Sequence, residues 1–232
     1  MRDVEGVVRT ALVVGGFGAL GSAVAAQFEA DGARVLRSSR KSHPGIPDAI
    51  TLDDEDHLFG LPVLDDVVWA QGANVNDRTE THEDDALSQM FEVNVALVAR
   101  QLRALIAARR LARGARLVVL SSIWEGVARP GKFSYTVSKA AVGGLVRAAA
   151  LDLAPQGILV NAVLPGVVDT PMTRTMLSNG QIDQVESATG FGRMVVPEDV
   201  ASLVGYLCSP QNTGVTGQSI IVDLGFSFGH LV

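Results

Sequence analysis

Cysteine is almost missing from this chain: Cys208 stands alone among 232 residues. No intrachain disulfide can form, and the neighbours Tyr206 and Leu207 point to a packing role for the thiol. Positive charge is short as well. Lys and Arg number 19 against 25 Asp and Glu, a net charge of −6, whereas a nucleic-acid surface is usually a basic face. No apolar run approaches the ~20 residues of a membrane helix, and Met1 to Thr10 lacks the pattern of an export signal. Nucleic acid and membrane are therefore excluded as expected partners, and the cytoplasm is the expected compartment. Metal-ligand spacing is lacking too. Asp53, Asp54, Glu55, Asp56 and His57 come nearest, but consecutive carboxylates point in different directions, so the run reads as a solvated turn and no metal is expected. His43, His82 and His230 are isolated and receive no chemistry.

Repeats and low-complexity linkers are also absent, and with 47% hydrophobic residues the chain can bury a sizeable core as one domain, residues 1–232. Buried-strand patterns fall near 10–14, 33–37, 49–52, 66–70, 115–121, 158–163 and 218–222, with helical patterns near 19–30, 84–111, 134–153, 173–178 and 197–208. Such alternation predicts an α/β fold: a doubly wound, mostly parallel sheet of Rossmann type with helices on both faces. Pro197-Glu198-Asp199 is a helix-start signal, and Pro62 reduces the third crossover, within 55–64, to a stub or loop.

Chemistry concentrates in Ser134-Tyr135-Thr136-Val137-Ser138-Lys139-Ala140, where a phenol and an ammonium four residues apart share one helix face. Lowering a tyrosine pKa from about 10 towards ~7 takes roughly 4 kcal/mol of phenolate stabilisation, much of which a fixed cation can supply. Ser122 follows the apolar run Leu117-Val118-Val119-Leu120, at a strand end that faces the ligand crevice of a parallel sheet. Ala11 to Val14, then Gly15-Gly16-Phe17-Gly18-Ala19-Leu20-Gly21, then a helix make a phosphate cradle, readable as Gly15, Gly18 and Gly21 or as Gly16, Gly18 and Gly21. Asn161 to Pro171 begins as a strand and ends in a rigid turn.

With these motifs in this order, the chain resembles the short-chain dehydrogenase/reductase family, in its single-domain branch, from about residue 10 to about 225. The resemblance implies a hydride-transferring oxidoreductase with a nicotinamide cofactor and a small-molecule carbonyl or alcohol substrate, a 3-oxoacyl thioester being one candidate. Tyr135 would be the acid/base, Lys139 would lower its pKa and hold the nicotinamide ribose, Ser122 would bind the substrate oxygen and Asn94 would support a water-mediated proton relay. Gly15, Phe17, Gly18, Ala19, Leu20 and Gly21 would line the phosphate cradle; Asp53 would lie near the adenine; Gly72 would let the backbone pass close to the cofactor; Pro165, Gly166, Val168 and Thr170 would touch the carboxamide and phosphates. Residues 172–194 would form the mobile substrate lid and, with Trp124 and Phe191, shape the pocket, although Trp124 reads equally as packing. Departures are visible: Val14 replaces a threonine, Ala19 a glycine, Trp69-Ala70-Gln71-Gly72 the usual Asn-Asn-Ala-Gly, and Asp223-Leu224-Gly225 the frequent Asp-Gly-Gly. The glycine run also resembles dihydropteridine reductase locally.

At the end of the second strand Ser39 stands where an NAD-selective site keeps an acid, and Arg40 follows with a guanidinium suited to a 2′-phosphate. NADP(H) is therefore the expected cofactor, with NAD(H) use compatible. Small residues spread around the helix at 134–153 call for a second packed face and, as in many relatives, a homotetramer. Arg100, Arg103, Arg109, Arg110, Arg113 and Arg116 cluster at a helix end; this is a solvated terminus or a dock for an acyl carrier protein or anionic substrate. Two other functions stay open on the same fold, a non-catalytic dinucleotide-sensing or regulatory protein and an epimerase or dehydratase, the last disfavoured by a short tail with no substrate domain.

Overall fold

The computed structural model describes residues 8–46, 48–51 and 55–229. Its seven strands are β1 (Thr10–Val14), β2 (Arg34–Ser39), β3 (Ala49–Thr51), β4 (Leu64–Trp69), β5 (Leu111–Leu120), β6 (Leu159–Pro165) and β7 (Ser219–Val222). They form one sheet in the order β3-β2-β1-β4-β5-β6-β7, every pairing parallel. The order reverses between β1 and β4, which opens a crevice at the carboxyl ends of those two strands.

Strand side chains alternate between two cores. Leu12, Val14, Val67 and Trp69 belong to one, with Val98 and Leu105 from α3 (Leu97–Ala107) and Val142 and Val146 from α4 (Phe133–Leu153). Ala11, Val13, Val68 and Val118 face the other, with Val24 and Phe28 from α1 (Ala19–Ala30) and Val200 and Val204 from α7 (Pro197–Cys208). Burial on both faces explains why these strands read as near-continuous apolar runs. Each fully buried aliphatic side chain contributes roughly 1.5–3 kcal/mol. Asp199 Oδ2 accepts from the Val196 amide (3.0 Å) and caps α7 where Pro197 predicts its start. Cys208 is buried, and burial raises its thiol pKa.

Two elements differ from the sequence expectation, and a third follows it. The single helix expected over 84–111 is α2 (Asp84–Phe91), a π turn (Glu92–Ala96) and α3. It then ends early. Arg109 adopts φ 54, its amide donates to Ile106 O (3.0 Å), and the Arg110 amide donates to Leu105 O (2.9 Å). That is a Schellman ending without its usual glycine, so nothing in the sequence marks it. The reduced third crossover is a short 3₁₀ turn, Glu55–Gly60, as Pro62 suggests. Beyond β6, a helix over 173–178 is expected; instead α5 (Pro171–Met176) precedes α6 (Asn179–Ala188). Ser178 and Gln181 cap each other's backbone amides at its start, a Ser-x-x-Gln signal legible in the sequence.

Candidate active site

The glycine turn lies in the crevice, tied to β2 by the amides of Gly15 and Gly16, which both donate to Ser38 O (2.9 and 3.1 Å). Gly15 has φ +75, and a Cβ there would lie 2.8 Å from the Gln71 amide nitrogen. A Cβ on Gly21 would strike the Gly15 carbonyl, and one on Gly16 would lie 2.9 Å from Val13 O. Gly18 has room, with only Gly15 O at 3.5 Å. Close packing therefore demands glycine at Gly15, Gly16 and Gly21 alike, and both readings of the spacing keep their outer glycines. Gly18 offers no side-chain cap, so the first amides of α1, from Ala19, Leu20 and Gly21, face the crevice without an intrahelical acceptor.

These features fit a dinucleotide. A Cβ at Gly15, Gly16 or Gly21 would crowd the cradle, and its free amides suit a pyrophosphate. Gln71, absent from the sequence-derived set, carries a carboxamide whose two polar atoms are shielded from solvent and unpartnered among the described residues. Such atoms cost about 1–3 kcal/mol unless a ligand satisfies them. Ser39 closes the far end: its hydroxyl donates to Lys41 O (2.7 Å) and accepts from Lys41 N (3.0 Å). Arg37 is held by Glu29 (2.8 Å) and Arg34 pairs with Asp48, while the Arg40 side chain has no partner among the described residues. Asp53 lies outside the described residues.

At the other end of the crevice the structure brings Ser122, Tyr135, Lys139, Asn94 and Gly72 together. Ser122 ends the extension of β5 and accepts from the Trp124 amide (3.4 Å). Its hydroxyl also hydrogen-bonds the Tyr135 phenol. Lys139 is buried, its Nζ donating to Leu120 O (3.1 Å) and lying 5.7 Å from the Tyr135 ring centroid. A Cβ on Gly72 would sit 3.8 Å from that Nζ and 3.4 Å from Asn94 Oδ1, ordinary contact distances that place this backbone against both groups. Asn94 sits in the π turn, accepts from Ala73 N (2.9 Å) and donates to Ala73 O (3.1 Å) and Ser138 Oγ (3.0 Å). The departure at Trp69 also has an account: the indole is buried and donates to Gln101 Oε1 (2.9 Å), so bracing moves from the strand end to α3.

Protonation corrects one expectation. Burial pushes the Lys139 ammonium down to about 8, with Glu125 offering partial compensation. Burial likewise raises Tyr135 above the usual phenol value, opposed by the Ser122 hydrogen bond. The expected lowering by Lys139 is therefore not found in the protein alone, because desolvation of the phenolate dominates. Tyr135 is held as a phenol, the form that can give a proton.

Pro165 and Gly166 end β6, where a Cβ on Gly166 would lie 2.8 Å from Asp223 Cβ. Val168 bridges Val195, and Thr170 Oγ1 accepts from Thr173 N (3.2 Å) to start α5. Phe191 is largely exposed, and Arg129 lies over Trp124 at 5.7 Å. Half of the arginine cluster is engaged, Arg100 pairing with Glu92, Arg110 donating to Phe59 O and Arg116 to Gly114 O and Asn212 O, while the exposed Arg103, Arg109 and Arg113 have no side-chain partner among the described residues. Among the described residues no group of three metal-ligating side chains occurs, and no helix is long and apolar enough to cross a membrane.

Sheet order, glycine turn and the Ser-Tyr-Lys group at the strand ends define an α/β oxidoreductase class built around a nicotinamide dinucleotide. A profile of the family described as enoyl-(acyl carrier protein) reductase matches residues 61–227. The chain is 30% identical over 243 residues to cyclopentanol dehydrogenase of Comamonas sp. (strain NCIMB 9872), covering 94% of this chain and 97% of that one. It is also 30% identical over 240 residues, with the same coverage, to a cyclic-di-GMP-binding biofilm dispersal mediator protein of Escherichia coli (strain K12). A 139-residue stretch is 42% identical to short-chain dehydrogenase fogB of Aspergillus ruber (strain CBS 135680); this covers 58% of the chain and spans half that relative's length. The solved short-chain dehydrogenase/reductase from Serratia marcescens BCRC 10948 superposes with a TM-score of 0.85 at 31% identity, covering 94% of this chain and 98% of that one. The chain belongs to the short-chain dehydrogenase/reductase family.

Proposed function

We propose that this protein is an NADP(H)-dependent oxidoreductase that interconverts a small ketone or aldehyde and its alcohol. The convergence of Ser122, Tyr135 and Lys139 beside Gly72 carries this reading. When bound, the nicotinamide supplies or accepts hydride. Ser122 and Tyr135 hydroxyls polarise the carbonyl oxygen, and Tyr135, kept protonated by burial, gives it a proton. The buried Lys139 ammonium stabilises the phenolate left behind and holds the ribose hydroxyls. Asn94 acts by position, tying the segment after β4 to α4 through Ala73 and Ser138, and backs the proton relay. Residues 172–194, with α5 and α6, form the lid.

The unpaired Arg40 after Ser39 supports NADP(H) over NAD(H). The cyclopentanol dehydrogenase relative favours an alicyclic ketone or alcohol as substrate; a 3-oxoacyl thioester, with an acyl carrier protein as partner, is the other class worth assay. Val137, Ala140, Gly144, Ala148 and Leu151 form an exposed, mostly apolar stripe on α4, which supports a homotetramer; a monomeric mass by light scattering would remove that claim. A lone, buried cysteine suits the cytoplasm. The regulatory reading draws on the E. coli relative's name, and turnover separates the two. The test follows reduced-cofactor absorbance over cyclic ketones, aldehydes, quinones and acyl thioesters with NADPH and NADH. Turnover with any of them makes it an enzyme; an NADH preference, or equal losses for both cofactors in Arg40→Ala, would sink the NADP assignment.

A further inference from the structure

His43 has no role in the reading so far, yet it sits where the glycine turn meets the end of β2. Its ring lies flat on Phe17, centroids 3.6 Å apart and planes 12° from parallel. Its Nε2 is 3.0 Å from Ser39 Oγ. The Ser39 hydroxyl has one proton, and that proton goes to Lys41 O (2.7 Å). His43 must then donate, so Nε2 carries the hydrogen. A ring N–H is thus fixed within one hydrogen-bond length of Ser39.

The charges around it have one sign. Arg40 and Lys41 follow Ser39 without side-chain partners among the described residues, while Glu29 is held by Arg37 and Asp48 by Arg34. A guanidinium and an ammonium on a turn held by the His43–Ser39 bond, with no free carboxylate beside them among the described residues, suit a phosphate dianion. Phe17 contributes in another way, since it belongs to the turn that cradles the pyrophosphate, and the stack joins the two phosphate-binding segments.

Building on the NADP(H) reading, we infer that His43 is a positioning residue for recognition of the 2′-phosphate of the dinucleotide: stacked on Phe17, it donates from Nε2 to Ser39 and so fixes the turn that presents Arg40 and Lys41 to the phosphate. Stacking and donation can be separated, because His43→Phe keeps a flat ring over Phe17 but has no nitrogen. Calorimetric titration of the full chain with adenosine 2′,5′-bisphosphate and with AMP is the test. Both His43→Phe and His43→Ala should weaken bisphosphate binding about fivefold or more while AMP affinity changes less than twofold. If His43→Phe binds the bisphosphate like the native protein, the residue is only a stacking lock and the inference is overturned. If both variants lose affinity for the two nucleotides equally, positioning for the 2′-phosphate by His43 is likewise refuted. A native protein that binds AMP and the bisphosphate with equal affinity overturns the NADP(H) reading itself, an outcome distinct from a native preference that survives in both variants.

Discussion

Polar groups are buried at both ends of the strands, but at the amino ends nearly all are paired, Arg116 Nε excepted, and at the carboxyl ends several are not. Asp66, its side chain 4% exposed, takes two hydrogen bonds from Arg9 (3.1 and 2.6 Å), and Arg9 also donates to Cys208 O (3.2 Å). Thr10 N donates to Asp65 Oδ2 nearby (2.8 Å). At the carboxyl ends the Lys139 ammonium finds one carbonyl and no carboxylate within ion-pair distance among the described residues, and Gln71 and Ser121 keep unsatisfied polar atoms. Unpaired groups of this kind cost about 1–3 kcal/mol each and persist where something else binds them. Space is present at the other end too: a cavity of about 630 Å³ lies between α1 and α7, lined by Phe28, Gly205 and Tyr206, with Asp66 already neutralised by Arg9. Unmet bonding capacity, more than space, marks the reactive end.

Substitutions at the two ends should therefore fail in opposite ways. Tyr135→Phe should lower kcat by at least about 10² while leaving cofactor affinity and melting temperature nearly unchanged, because it removes the proton donor and little packing. Near-native turnover on the true substrate would show that another group is the acid. Arg9→Met should do the reverse. Leaving Asp66 buried alone costs about 2 kcal/mol, less than the ~3–5 kcal/mol of a fully buried pair because Arg9 keeps some solvent contact, and melting should fall by roughly 4–8 °C with kcat unaffected. Burial pushes the Asp66 carboxyl up to about 6 against Arg9's pull downwards. Since this folded value lies above the unfolded one of about 3.9, its stabilisation is fullest below pH ~4 and is lost as pH rises through 6. The Arg9→Met penalty should accordingly be larger at pH 7.5 than at pH 5, and equal penalties in denaturant melts at the two pH values would remove the pairing argument.

A subtler contrast concerns charge at the reactive end. With Lys139 near 8, its ammonium is present below that pH and lost above it. The kcat/KM for the reduced cofactor, which reports the free enzyme, should fall about tenfold per pH unit above 8. A profile flat to pH 10 would deny the ammonium its role. Smallest is Ser178→Ala, which removes half of the capping box of α6 and should cost about 1 kcal/mol locally. Faster amide exchange over 179–188, with exchange at Asp66 unchanged, is the expected signature; uniform acceleration along the chain would mean that α6 and the amino end share one folding unit.

What could be read in advance follows from the range of each interaction. Tyr135 and Lys139 share a helix face, Ser122 ends an apolar strand run and the glycine turn is local, so their placement follows from short-range pattern. His43 lies 26 positions beyond Phe17, and no spacing rule links an isolated histidine to a loop phenylalanine; only folding of β2 beside β1 brings them into contact. Gln71 was visible merely as a departure from the family pattern, since an unsatisfied carboxamide is defined by what surrounds it. The early end of α3 rests on Arg109 in a left-handed conformation, where no glycine gives notice.

The π turn at Glu92–Ala96 solves a problem of angular bookkeeping along its helix. Met90, Asn94 and Val98 are all buried, yet steps of four residues in an α-helix overshoot a full turn by about 40° each and would walk off the facing surface. A wider turn, closed by i→i+5 bonds, absorbs that drift. It resets the phase so that Asn94 points at Ala73 and Ser138 while Gln101, nearly two turns later, still meets Trp69. The helix thereby answers to two layers at once, a polar contact beside the crevice and an indole in the core. Deleting one residue from regular helix would rotate everything downstream by about 100°, whereas deleting one inside this turn would let it close as ordinary α-helix and keep Gln101 near Trp69 at the cost of the polar contact beside the crevice.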